Sequence, residues 1–212
     1  MTIIFYDCKT APSPRRTRIL LAEKNVPHKT VEINLMTNEQ MGDDFRKINP
    51  DCTVPALQLE DGKILKDNAS IATYLEEVYP EPPLLGTTPY EKAVIASWQS
   101  KIDHEFGMAI ASALRNANPA MKDRALPGKH NYKQIPDLSI RGLKQIDNFF
   151  ITLENHLLEK EFIATEKFSI ADISAACALD FARVVKKKVI EGIHPNIIRW
   201  RSSLSLRESF NI

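Results

Sequence analysis

The chain has 212 residues, 43% hydrophobic and 26% charged, which suits one large globular domain or two small ones with a sizeable core. Its 28 basic residues against 27 acidic ones leave a formal net charge of +1, with no electrostatic footprint for nucleic acid or an anionic membrane surface. Cys8, Cys52 and Cys177 lie far apart, without CxxC or Cys/His ligand spacing; neither a disulfide framework nor a metal site is indicated, and reduced thiols in a cytoplasmic protein are the plain reading. The start, Met1 to Asp7, is too short and too acidic for a signal peptide, and no apolar run reaches the roughly 18 residues of a membrane span.

Taken in chain order, Ile3 to Tyr6 reads as a strand, Arg15 to Glu23 as a helix and His28 to Ile33, alternating polar and apolar, as a second strand. A short polar helix follows over Asn38 to Lys47, then a strand over Ala56 to Leu59. Asp61-Gly62 reads as a two-residue hairpin turn, because Asp-Gly tolerates the positive φ values such turns need, and Lys63 to Leu65 is the return strand. Ile71, Tyr74, Leu75 and Val78 then fall on one helix face. The order βαβαββα predicts a mixed four-stranded sheet, with a parallel βαβ unit and an antiparallel hairpin, in a thioredoxin-like α/β domain over residues 1–80.

Residues 81–89 read as a linker, since Pro80, Pro82, Pro83, Gly86 and Pro89 cannot continue a helix. Beyond it, residues 90–212 read as an all-α bundle. One long helix is expected over Tyr90 to Arg115, with Gly107 tolerated inside it, and a loop over Asn116 to Pro136. Amphipathic faces follow on Leu143, Ile146, Phe150, Leu153 and Leu157, and on Ile170, Ile173, Cys177, Phe181 and Val184. A short last helix is expected from about Asn196 to Leu204. Ser169-Ile170-Ala171-Asp172 is a helix-start box: Ser169 caps, Asp172 reaches back to the Ser169 N–H, and Phe168 staples to Ile173.

Two short stretches carry the chemistry. Asn49 to Leu57 reads as a tight loop entering a strand at Val54-Pro55, where proline is confined to a strand's first residue or an edge and a cis peptide is accessible. A cis bond there turns the Val54 N–H and C=O outward, free to pair with an extended peptide. Asp67-Asn68-Ala69-Ser70-Ile71 opens a helix, where unpaired N–H groups and the positive dipole end collect anionic groups. A peptide-binding edge beside an anion-binding helix start suits a small charged peptide.

The Val-Pro loop, the acidic start of the third helix, the Pro-rich linker and the late capping box, in that order, resemble the glutathione S-transferase superfamily over essentially the whole chain. Pro12-Ser13-Pro14-Arg15-Arg16-Thr17-Arg18-Ile19-Leu20-Leu21-Ala22-Glu23-Lys24 is similar to the first helix of an atypical bacterial and fungal branch. The resemblance implies that glutathione is the cosubstrate, bound by Val54, Pro55, Asp67 and Asn68. Its thiolate would attack a small hydrophobic electrophile, without a metal, in a homodimer that engages neither nucleic acid nor membrane.

The same alignment sets Ala11 where most classes carry a catalytic Tyr, Ser or Cys, so that residue cannot be carried over. The N-terminus of the first helix could stabilise the thiolate by its dipole and N–H groups without any side chain, and two side chains are candidates. Ser13 is a nearby hydroxyl, also readable as an N-cap before a proline at the first helical position. His104, between Asp103 and Glu105 on the long helix, could contribute from the α-domain. Ala11 also favours an alternative: a non-catalytic glutathione-binding or regulatory protein on the same scaffold.

Overall fold

In the computed structural model, which describes residues 2–212, two compact units are present. The first runs to Pro83 and also takes in Pro127–His130 and Ile212; the second holds Leu84–Leu126 and Asn131–Asn211.

The first unit is built on β1 (Ile3–Asp7), β2 (His28–Glu32), β3 (Ala56–Gln58) and β4 (Ile64–Leu65), in the sheet order β2-β1-β3-β4. β1 pairs parallel with β2 and antiparallel with β3, and β3 pairs antiparallel with β4. This is the mixed sheet of the thioredoxin-like arrangement. Side chains alternate across it, so neighbours on β1 serve different layers. Tyr6 packs with Ile33, Ala56 and Phe45 of α2 (Asp43–Ile48) on one face. Phe5 and Leu57, paired in register and fully buried, belong to the other face, where α1 (Pro12–Glu23) and α3 (Asn68–Val78) supply Ile19, Leu21, Ile71 and Leu75.

Three local expectations are corrected. The helix expected over Asn38 to Lys47 is instead two single turns, Leu35–Thr37 and Glu39–Met41, followed by α2. The Asn34 side chain accepts from Met36 N and Thr37 N, Asn38 turns left-handed at φ 59°, and Gly42 is extended; side-chain capping competes here with a continuous helix. The hairpin closes through Leu59 N–H on Lys63 C=O at 2.8 Å, so its turn spans Glu60, Asp61 and Gly62 rather than two residues. Finally, α1 starts at Pro12 with Ala11 as its N-cap, so Ser13 is not the cap. Pro12 and Pro14 both fall in the first turn, where a missing N–H removes no helical bond.

The second unit contains α4 (Pro89–Lys101), α5 (Met108–Arg115), α6 (Pro136–His156), α7 (Ile170–Phe181) and α8 (Pro195–Leu204). The long helix expected from Tyr90 to Arg115 is divided by a π-helical stretch, Ile102–Gly107, at whose end Met108 N–H donates to Asp103 C=O. Gly142 lets α6 and α5 approach closely, since a Cβ there would sit 2.5 Å from Ala109 O and 2.9 Å from Ala113 N. At the start of α7, Ser169 N–H donates to Asp172 Oδ2 at 3.0 Å, the backward half of the expected box. The same carboxylate, 0% exposed, accepts from Ile163 N (2.9 Å) and Trp200 Nε1 (3.0 Å). Burial pushes the Asp172 carboxyl up, and these donors pull against that rise. Among the described residues no helix is long and apolar enough to cross a membrane.

Candidate functional site

The loop before β3 is shaped from within by Asn49, which is fully buried. Its Nδ2 donates to Thr53 O (2.8 Å) and Thr53 Oγ1 (3.0 Å), and its Oδ1 accepts from Asp51 N (3.0 Å). Cys52, inside this loop, is left-handed at φ 58° and buried, with Sγ 3.7 Å from Pro50 O; its thiol packs as a small apolar group. The Val54–Pro55 peptide that follows is cis. Pro55 is buried against the sheet, and Val54 is half-buried just outside β3. Neither the N–H nor the C=O of Val54 has a partner among the described residues. An unpaired donor and acceptor on one residue at the mouth of a strand are what an extended peptide needs to pair with.

Asp67 is the N-cap of α3, its Oδ1 accepting from Ser70 N at 2.8 Å, and it is exposed, so its second oxygen faces solvent. Asn68, the first residue of α3, turns toward α1: its Nδ2 donates to Ser13 Oγ (2.7 Å), and its Oδ1 accepts from Thr17 Oγ1 (2.9 Å). The structure therefore joins Ser13 directly to Asn68, next to Asp67.

Ser13 offers more than its hydroxyl. Because Pro12 and Pro14 carry no N–H and Arg15 N already reaches Ala11 O at 3.4 Å, the Ser13 N–H is the unpaired donor of the first turn of α1. Ser13 thus supplies an N–H and an O–H at the positive end of a 12-residue helix. Such paired donors stabilise a localised negative charge. The end of β1 is tied to α1 by Arg18, whose Nε and Nη2 donate to Asp7 Oδ2 and Oδ1, both at 2.8 Å, with Asp7 1% exposed. The bidentate geometry fixes where α1 begins over the sheet.

A charged cluster lies beside these segments in the first unit. Lys129 Nζ is 3.2 Å from Asp51 Oδ1, and Lys66 Nζ is 3.8 Å from Asp51 Oδ2. Lys129 first, then Lys66, holds the Asp51 carboxyl below the usual carboxylate range.

His104 belongs to the second unit and is exposed within the π-helical stretch. Its Nδ1–H donates to Ser100 O at 2.8 Å, which fixes the ring and leaves Nε2 as an acceptor. Phe106 and Ile110, on the same stretch and the helix after it, are core residues, with Phe106 stacked on Phe149 at 4.5 Å. Among the described residues no group of three or more His, Cys, Asp or Glu stands where it could hold a metal ion.

Sequence reasoning missed Asn49 and Thr17. Asn-Pro-Asp is a turn signal that could have pointed to Asn49. Thr17 lies one helical turn after Ser13, but its bond to Asn68 spans 51 positions and has no local signature.

The comparisons bear on the whole chain. Residues 10–78 match the glutathione S-transferase N-terminal domain, and residues 118–208 match the glutathione S-transferase C-terminal domain. Glutathione S-transferase 2 of Saccharomyces cerevisiae is 31% identical over 193 residues, covering 89% of this chain and 80% of that protein. Among solved structures, a glutathione S-transferase domain-containing protein of Marinobacter aquaeolei superposes with a TM-score of 0.87 at 32% identity, covering 98% of this chain and 99% of that one. Gtt2 of Saccharomyces cerevisiae gives a TM-score of 0.87 at 30% identity, covering 98% of each chain. With both domain types matched in order and a relative similar along most of its length, the chain belongs to the glutathione S-transferase family.

Proposed function

We propose that this protein is a glutathione transferase that adds the thiolate of glutathione to small hydrophobic electrophiles. The observation that carries this reading is the unpaired main chain of Val54 at the cis peptide to Pro55, in the same unit as Asp67, Asn68 and Ser13. In this reading Val54 pairs with the cysteinyl main chain, Pro55 holds that edge, and Asp67 takes the γ-glutamyl ammonium, with Asn68 beside it. The Ser13 N–H and O–H meet the sulfur. A thiol with a pKa of about 8.5 is mostly protonated at neutral pH, and donors aimed at the sulfur raise the fraction of the attacking thiolate. His104 is the alternative, its Nε2 accepting the thiol proton directly or through a water. The reaction needs no covalent enzyme intermediate and no metal.

The same reading takes the protein as a cytoplasmic homodimer, the commonest assembly of soluble chains. Sedimentation at about twice the 24.0 kDa chain mass agrees with this, and a clean monomer contradicts it.

Ala11 favours a second reading, a non-catalytic glutathione-binding module, because the residue capping α1 carries neither hydroxyl nor thiol. Retention on immobilised glutathione followed by a conjugation assay across several electrophile types separates the two. Retention with conjugation supports the transferase, retention without conjugation the module, and no retention contradicts both.

A further inference from the structure

The side chains of Thr17, Asn68 and Ser13 form a directional chain of hydrogen bonds. Thr17 Oγ1 donates to Asn68 Oδ1 at 2.9 Å, and Asn68 Nδ2 donates to Ser13 Oγ at 2.7 Å. Thr17 is 1% exposed and lies four residues after Ser13, on the same side of α1. A serine hydroxyl has one hydrogen and two lone pairs. With Asn68 donating into a lone pair, the hydrogen of Ser13 is left to point at something else. The opposite orientation of the amide would reverse this: Ser13 would donate into Asn68 Oδ1 and its hydrogen would be spent inside the protein.

Resting on the reading of this site as a glutathione thiolate site, we propose that Thr17 is a positioning residue. By donating to Asn68 Oδ1, it keeps the amide N–H toward Ser13 and leaves the Ser13 O–H free for the sulfur. Each bond polarises the next, so the buried hydroxyl also strengthens Ser13 as a donor. Asn68 acts here through Ser13, with its oxygen and one amide hydrogen already committed. Without the Thr17 hydroxyl, Asn68 Oδ1 lacks its donor, and the nearest replacement is Ser13 itself. The amide then turns, and the Ser13 hydrogen is withdrawn from the sulfur.

The test is Thr17→Val, which keeps the shape and removes the hydroxyl, with Thr17→Ser as the rescue. Ultraviolet absorbance of the bound glutathione thiolate is followed against pH. The wild type should titrate below free glutathione, Thr17→Val should lie about one to two pH units higher than wild type, and Thr17→Ser should return to the wild-type value. Affinity for glutathione measured well below the bound thiol's pKa should change by less than about twofold in Thr17→Val, which a general loss of structure would not allow. Should Thr17→Val not fold, Thr17→Ala carries the same comparison. A Thr17 variant titrating with the wild type, itself lowered, overturns the positioning role and leaves the thiolate site standing. A wild type that fails to lower the thiol pKa, or to bind glutathione, overturns both.

Discussion

Trp200 Nε1 donates to Asp172 Oδ1 across 3.0 Å, fastening α8 to the first turn of α7 in the core of the second unit. The same carboxylate receives the N–H groups of Ile163 and Ser169, so one buried side chain serves three separate segments. Asp172→Ala should therefore destabilise the protein by about 3 kcal/mol or more, since each stranded buried donor costs roughly 1–3 kcal/mol. Denaturant unfolding measures this, and a loss below about 1 kcal/mol would contradict the shared-acceptor role.

Glu91 gives a pH-dependent prediction at the start of α4. Its Oε2 accepts from Thr87 Oγ1 (2.6 Å), Thr87 N (2.9 Å) and Thr88 N (3.1 Å), while Thr88 Oγ1 accepts from Glu91 N (3.2 Å). The Thr87 hydroxyl first, then the two N–H groups, lowers the Glu91 carboxyl from 4.5 to about 2. A lowered folded value means the stabilisation is complete above the unfolded value and disappears as pH falls through the folded one. The N-terminal turn of α4 should hold at pH 5 and loosen toward pH 2. A carboxyl titration followed by NMR should give the low midpoint, and Glu91→Gln should remove this part of the pH dependence. A midpoint at the ordinary glutamate value would contradict it.

Asp67 has two tasks that substitution can separate. Asp67→Asn keeps an oxygen for the Ser70 N–H and removes the charge proposed to hold the γ-glutamyl ammonium. It should weaken glutathione binding by about 1.5–3 kcal/mol, with little change in stability. Asp67→Ala should lose that binding and about 1 kcal/mol of helix capping as well. Calorimetry decides: an unchanged dissociation constant in folded Asp67→Asn removes the residue from the site.

Much of the first unit was legible because its signals are local. A run of β-branched and aromatic residues marked β1, alternation marked β2, the Val54-Pro55 dipeptide marked the entry to β3, and Asp67 announced α3. The Thr88–Glu91 capping pattern also stands in the sequence and went unread, as the run of prolines around it drew attention to a linker. Other features could not be read locally. The π-helical stretch Ile102–Gly107 leaves the apolar spacing of a helix nearly intact, so its wider turn leaves no mark in the pattern. Pro12-Ser13-Pro14 admits two helix starts that differ by two residues, and only the bonding of Ala11 O distinguishes them. The bond from Asn68 to Ser13 crosses 55 positions, and that from Trp200 to Asp172 crosses 28; such pairs appear only once the chain has packed.

The proposed function requires the protein to hold the glutathione sulfur as a thiolate through groups other than a side chain at Ala11. Its most direct test is the pH titration of bound glutathione, by thiolate absorbance, in wild type, Ser13→Ala and His104→Ala. The wild-type value should lie well below that of the free thiol. Ser13→Ala should titrate about one to two units higher than wild type, since one donor to an anion is worth about 1.5–3 kcal/mol, and His104→Ala should match wild type. A silent Ser13→Ala with the loss carried by His104→Ala would transfer the role to the second unit. A wild-type value equal to that of free glutathione would contradict the transferase reading and leave the non-catalytic module in its place.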